Sequence, residues 1–167
     1  MKEQTITKQA IVQSFKQLMK EKSFDKISIS DITNSCYLNR QTFYYHFQDK
    51  YELMNWIYYN EIFLPLVNEL NEERYDEAFF KMFNTMYQEK YLYTNALSMS
   101  SEYGFKDYLY KVLEELVITL LENKKSQDIK FYTYGFVGTI IDWVQTGMNT
   151  KPLELATWMS DKFKRKS

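Results

Sequence analysis

Residues 39–50 read NRQTFYYHFQDK and crowd an arginine, a lysine, an imidazole and four benzene or phenol rings into one short stretch. If a helix opens at Arg40, then Phe43 and Phe47 stand four residues apart on one face, where Leu38, Ile32 and a preceding helix would cover them. Arg40, Gln41, Thr42, Tyr44, Tyr45 and His46 are then left outside, and each of them donates hydrogen bonds. That inventory suits a nucleic acid. Phosphate oxygens accept from Arg, Lys, Ser, Thr and Tyr, while Gln, Arg or Thr at the front of a short helix can read base edges. The competing account makes Tyr44 and Tyr45 ordinary amphipathic surface rings, and spacing alone leaves both accounts open.

Other chemistry finds little support. The chain has one cysteine, Cys36, and one histidine, His46, which excludes an internal disulfide and the usual Cys/His zinc cluster. No Gly-rich phosphate loop or serine-nucleophile motif is present, and paired carboxylates such as Glu114 and Glu115 read as a solvated helix face. The expectation is a protein that is not an enzyme and uses no metal and no cofactor. Met1 is not followed by an apolar leader, and no apolar run reaches 18 residues, so neither export nor membrane insertion is expected and the chain is placed in the cytoplasm.

The elements that must position these residues are helices. Apolar residues make up 45% of the 167 and aromatics 18%, while glycines number 4 and prolines 2; long helices are easier to build from this composition than many tight turns, and the class is all-α. Residues 1–50 carry eight basic and five acidic side chains and residues 51–167 thirteen against seventeen, a basic front on an acidic remainder. A first helix is predicted from about Thr7 to Glu21 on the stripe Ile11, Phe15, Leu18, Met19, with Lys8, Lys16 and Lys20 on its other face. Ser28 and Asp31 have the form of a capping box opening a second short helix that turns Ile29, Ile32 and Cys36 inward. Asn39 is a suitable cap for the third, and Asp49 with Glu52 caps the fourth. Three short helices with a tight joint between the second and third form a helix-turn-helix head, residues 1–50. Residues 51–167 form a helical regulatory and dimerisation body of longer helices. The first should bend near Pro65, one is expected over 91–104 with a loop ending at Gly104, and the last two are IKFYTYGFVGTIIDWVQTG and PLELATWMSDKFKRK. No flexible linker separates the halves, so a continuous helix should join them.

The stretch ISISDITNSCYLNRQTFYYHFQDKYELMNWI resembles the DNA-binding region of TetR-family transcriptional regulators, with the match running over roughly residues 8–57. The resemblance implies that Arg40, Gln41 and Thr42 sit at the major groove, and that Tyr44, Tyr45, His46 and Lys50 bind phosphates. Ser28, Ser30 and Asn39 complete the expected DNA-facing set. Two positions depart from the family pattern. Tyr37 stands where the family usually has glycine in the turn, which demands a positive-φ tyrosine. Ser30 replaces a common base-contacting Arg or Lys, leaving at most a phosphate contact. The body is similar, on YGFVGTIIDWVQTG, to a TetR subgroup that includes the activators of dihydroxyacetone kinase operons, in which a protein rather than a small molecule can be the controlling partner.

The resemblance also implies a homodimer bound to a double-stranded operator. Gly135, Gly138, Asp142 and Gln145 lie on one strip of the penultimate helix, beside Tyr134, Val137, Ile141 and Val144. With Trp158 of the last helix, that strip is the expected dimer surface, a four-helix interface. Alternatively, both glycines pack inside the monomer and Asp142 is an ordinary helix carboxylate. Rings and methionines of the body, among them Trp56, Tyr59, Phe63, Phe79, Phe83, Met86, Tyr87, Met99, Tyr103, Tyr108, Phe131 and Tyr134, either fill a core or line an apolar effector cavity. The functional expectation is a repressor released by a small apolar or aromatic effector. Its alternatives are an activator controlled by a protein co-regulator and, from another class, a helical interaction module that does not bind DNA.

Overall fold

The computed structural model describes residues 2–98, 104–121 and 125–164, with side chains from Gln4 onward. Residues 99–103, including Met99 and Tyr103, lie outside the described residues, as does the end of the last expected helix, PLELATWMSDKFKRK. Among the described residues every regular element is helical.

The head consists of α1 (Lys2–Glu21), a 3-10 turn at Phe24–Lys26, α2 (Ile29–Ser35) and α3 (Arg40–His46). The two short helices begin where their caps stand. Ser28 and Asp31 form the reciprocal capping box, and the Asn39 side chain accepts the Thr42 N–H at 2.8 Å. Ile11, Val12, Phe15, Phe24, Ile32, Phe43 and Phe47 are buried together. The Ser14 hydroxyl donates to the Ile32 carbonyl at 2.7 Å, fastening α1 to α2. Helix α1 starts five residues earlier than the apolar stripe suggests, because its first turns are held by a contact remote in sequence: the Gln4 amide donates to the Tyr45 hydroxyl at 2.9 Å.

Asp49 caps α4 (Lys50–Tyr58), accepting the Glu52 N–H at 2.8 Å. A π-helical turn at Tyr59–Phe63 then leads into α5 (Leu64–Asn71). The bend expected near Pro65 takes this form. Proline would strip the α-helical partner from the Glu61 carbonyl and crowd it, and the chain inserts a wider turn just ahead, in which the Leu64 N–H reaches the Tyr59 carbonyl five residues back. The body continues with α6 (Tyr75–Gln88), α7 (Lys90–Leu97), α8 (Phe105–Leu120), α9 (Ser126–Gln145) and α10 (Pro152–Phe163). Helix α10 lies along α6, α8 along α9, and α5 along α6. Phe79, Phe136 and Phe163 meet with ring centroids 5.4–5.6 Å apart, and Phe83 meets Trp143 at 5.3 Å. Phe63, Phe79, Phe83 and Met86, candidates for a cavity wall in the sequence, are buried core.

Head and body are tied at two points besides the shared helix. The nearly buried Lys16 ammonium of α1 lies 2.6 Å from Glu61 in the π turn and 3.3 Å from Glu89 at the α6–α7 corner. On α7, the Asn95 side chain accepts the Phe24 N–H at 2.7 Å and donates to the Lys22 and Met19 carbonyls at 2.6 and 3.1 Å. Lys16→Met would leave two part-buried carboxylates facing each other without their cation. A cost of about 1–3 kcal/mol is expected, below that of a fully buried pair because both carboxylates keep some solvent. Urea unfolding checks it, and adding Glu89→Gln should recover part of the loss.

Candidate nucleic-acid interface

Two buried rings hold α3. Phe43 and Phe47 are sealed beneath it, 5.8 Å apart. Their burial turns the opposite side outward: Arg40, Gln41, Tyr44 and Tyr45 are exposed, with Tyr45 at 70%. The Arg40 guanidinium leans over the Tyr44 ring and donates to its hydroxyl at 3.4 Å. Thr42 is half-buried, its hydroxyl donating to the Asn39 side-chain oxygen Oδ1 at 3.0 Å. Asn39 is therefore committed to capping, and the side chains of the first turns of α3 left exposed are Arg40, Gln41 and Tyr44.

Ser28 and Ser30 differ in employment. The Ser28 hydroxyl accepts the Asp31 N–H at 3.0 Å and donates to its carboxylate at 2.9 Å. The Ser28 backbone N–H and hydroxyl, with Lys22 nearby, hold the Asp31 carboxyl below its ordinary range. Ser30 is half-buried in the first turn of α2. Between the two helices Tyr37 has φ 57° and is 97% exposed, as the missing glycine predicts. Its N–H bonds the Asn34 carbonyl at 3.3 Å, which closes the turn while the side chain stands free of the core.

Lys50 departs from expectation. Its ammonium donates to the Phe24 and Ile27 carbonyls at 2.8 Å and to that of Asp25 at 3.4 Å, and it lies 4.4 Å from the Phe24 ring centroid. Those three carbonyls occupy its three donor hydrogens, so Lys50 is a cap for the 3-10 turn rather than a cation turned toward phosphate. His46 is half-buried at the end of α3, and burial together with the Lys8 charge pushes its imidazolium below the ordinary histidine value. Lys8 belongs to the surface that the sequence left unassigned. Its ammonium sits 4.9 Å from the Phe47 ring centroid and 4.5 Å from that of Trp56, partners 39 and 48 positions away, beyond any local pattern.

The strip expected to pair subunits lies on the outer face of α9. Gly135, Asp142 and Gln145 are exposed and Gly138 is half-buried; Val137 and Val144 point into the core. A Cβ built on Gly135 or Gly138 meets nothing within 4 Å, so neither glycine is required by packing inside the subunit. Phe131 is 75% and Tyr134 60% exposed beside them, and Trp158 of α10 is 47% exposed with the Lys162 ammonium over its ring at 5.2 Å. Asp142 is an exposed helix carboxylate. Among the described residues no helix is long and apolar enough to cross a membrane.

Residues 73–164 match the family described as "Transcriptional regulator C-terminal region", and residues 11–56 match "Bacterial regulatory proteins, tetR family". A stretch of 69 residues, 41% of this chain, is 42% identical to the HTH-type dhaKLM operon transcriptional activator DhaS of Lactococcus lactis subsp. lactis (strain IL1403), and spans 36% of that protein's length. The fold is similar to that of a solved dihydroxyacetone kinase operon activator DhaS, with TM-score 0.67 and 20% identity over 95% of this chain and 94% of the other. It is similar again to a TetR transcriptional regulator from Streptococcus agalactiae 2603V, with TM-score 0.68 and 19% identity over 98% and 97%. At such identities these two likenesses speak for the fold alone. The regulator C-terminal family covers more than half of the chain, and the tetR-family match covers residues 11–56 ahead of it: the protein belongs to the TetR family of transcriptional regulators.

Proposed function

We propose that this chain binds an operator duplex as a homodimer, with one α3 in each of two successive major grooves. The observation that carries the proposal is a two-turn helix pinned by two buried phenylalanines beneath an exposed row of hydrogen-bond donors. Arg40 and Gln41 read bases. Tyr44 and Tyr45 hold phosphates, assisted by Thr42 and His46, while Ser28, Ser30 and Asn39 shape the backbone that meets the duplex. Lys50 contributes by fixing the turn before α2. The outer face of α9 with Trp158 joins the two copies. This arrangement asks for recognition helices about 34–36 Å apart, so anything that tilts the head on the body changes affinity. The Lys16 and Asn95 contacts are where such a tilt would be transmitted.

Of the modes of control, activation is favoured. The Lactococcus relative is named a transcriptional activator, and several of the rings that would line an apolar effector cavity are packed as core. A protein co-regulator docking on the acidic body fits this better than a small apolar ligand releasing a repressor.

A titration against the region upstream of the protein's own coding sequence tests the proposal. Salt-sensitive, sequence-selective binding is expected, and no binding at any salt would leave only a helical interaction module. Gln41→Ala should change the preferred sequence and cost about 1–3 kcal/mol at the base pair it reads. Tyr44→Phe, which removes one phosphate hydroxyl, should weaken all sequences alike by about 1 kcal/mol. An unchanged preference in Gln41→Ala would end the base-reading assignment.

A further inference from the structure

Helices α1, α3 and α4 border an open cleft of about 350 Å³ lined by Gln4, Thr5, Lys8, Gln9, His46 and Trp56. Within it Lys8 is held in an uncommon way for this head. Lys16 has two carboxylates, Lys22 has Asp31, and Lys50 has three carbonyls. Lys8 instead rests on the ring faces of Phe47 and Trp56, and among the described residues no carboxylate forms an ion pair with it. A ring face attracts an ammonium through its quadrupole but carries no net charge, so the position of the cation is fixed and its charge is left uncompensated. His46 lines the same cleft. The groups facing its imidazole are Lys8 from α1, the Trp56 ring from α4, and Tyr45 and Phe47 from its own segment; none of them is an anion. The Gln4–Tyr45 hydrogen bond links the first turn of α1 to the exposed side of α3, so the cleft is continuous with the surface assigned to the duplex.

Building on the DNA reading above, we propose that this cleft seats one backbone phosphate of the duplex between Lys8 and His46, and that His46 takes up a proton from solvent when the phosphate enters. Lys8 supplies the standing charge, and the imidazole supplies a second charge only when an anion is there to balance it. The sign follows. In the free protein burial and Lys8 hold the imidazolium below the ordinary value of 6.5, and a neighbouring phosphate raises it. The affinity gained is therefore fully present at pH below the free-state value and is lost as pH rises through the bound-state value.

His46 is the sole histidine in the chain, so its imidazole proton resonances report this titration without ambiguity. The expected result is a rise of about one pH unit in the His46 midpoint on adding duplex, with duplex affinity about three- to fivefold higher near pH 6 than near pH 8. His46→Gln should bind with a flat pH profile. Lys8→Gln should weaken binding to all duplexes and lower the salt slope by about 0.9, and Lys8→Arg should restore it. A wild-type pH profile in His46→Gln, or an unchanged salt slope in Lys8→Gln, would overturn the phosphate site while leaving duplex binding itself in place. An equal rise with inorganic phosphate in place of duplex would overturn it too, marking a free-anion site. Absence of duplex binding by the unaltered protein at low salt would instead remove the underlying DNA reading, and this one with it.

Discussion

Gly138→Arg is expected to give a folded monomer that binds its operator about 100-fold more weakly or worse, near the level of non-specific DNA association. The two halves of that result have opposite origins. Inside the subunit a side chain at Gly138 meets open space, and replacing a mid-helix glycine removes a propensity penalty of about 1 kcal/mol, so the isolated chain should be at least as helical as before. In the proposed dimer, glycines at 135 and 138 would permit close approach of a partner helix, and an arginine there would hold the helices apart and place a charge among Phe131, Tyr134 and Trp158 of both copies. One head then engages one half-site, and the second half-site no longer adds its binding energy. Light scattering should show the mass of one chain, and melting should lose its dependence on protein concentration. Circular dichroism should show helix content retained. A dimer that persists in Gly138→Arg would put the interface elsewhere.

What could be foreseen from the sequence was mostly local chemistry. The caps at Ser28, Asn39 and Asp49 are short-range hydrogen-bond patterns, and each stands at the start of its helix. The turn between α2 and α3 was legible through a departure from a family pattern, since a residue in place of glycine must still adopt positive φ, and Tyr37 does. Interactions that span the chain were not legible. The first turns of α1 bury no stripe, with Ile6 exposed, so periodicity had nothing to report there. A lysine one residue after a cap looks free in sequence, and only the folded head brings the Phe24 and Ile27 carbonyls under Lys50. The same holds for Lys8 over Trp56 and for Lys16 between Glu61 and Glu89. The body's aromatic residues were ambiguous for a different reason: a ring on an inward helix face follows the same spacing whether it touches another ring or a ligand.

The second large effect belongs to Phe43. A helix of only seven residues cannot sustain itself in water, where nucleation is unfavourable and propagation has too few bonds to recover it. The Asn39 cap contributes about 1 kcal/mol, which is not enough. What remains is the burial of Phe43, wholly removed from solvent and in edge contact with Tyr44 and tilted contact with Phe47. Phe43→Ala should therefore cost about 3–5 kcal/mol in urea unfolding, a large share of the roughly 5–15 kcal/mol that a domain commands. It should also abolish operator binding at protein concentrations where the fold is still populated, because the cavity lies directly beneath the side chains proposed to face the duplex. Phe43→Leu, which keeps most of the volume, should cost less than about 1.5 kcal/mol and retain binding. The contrast separates support from contact: Tyr44→Phe lowers affinity with stability unchanged, whereas Phe43→Ala lowers both. Were Phe43→Ala to lose under about 1 kcal/mol, α3 would have to be held by something other than the rings below it, and burial on one side could not be what presents the opposite side to a duplex.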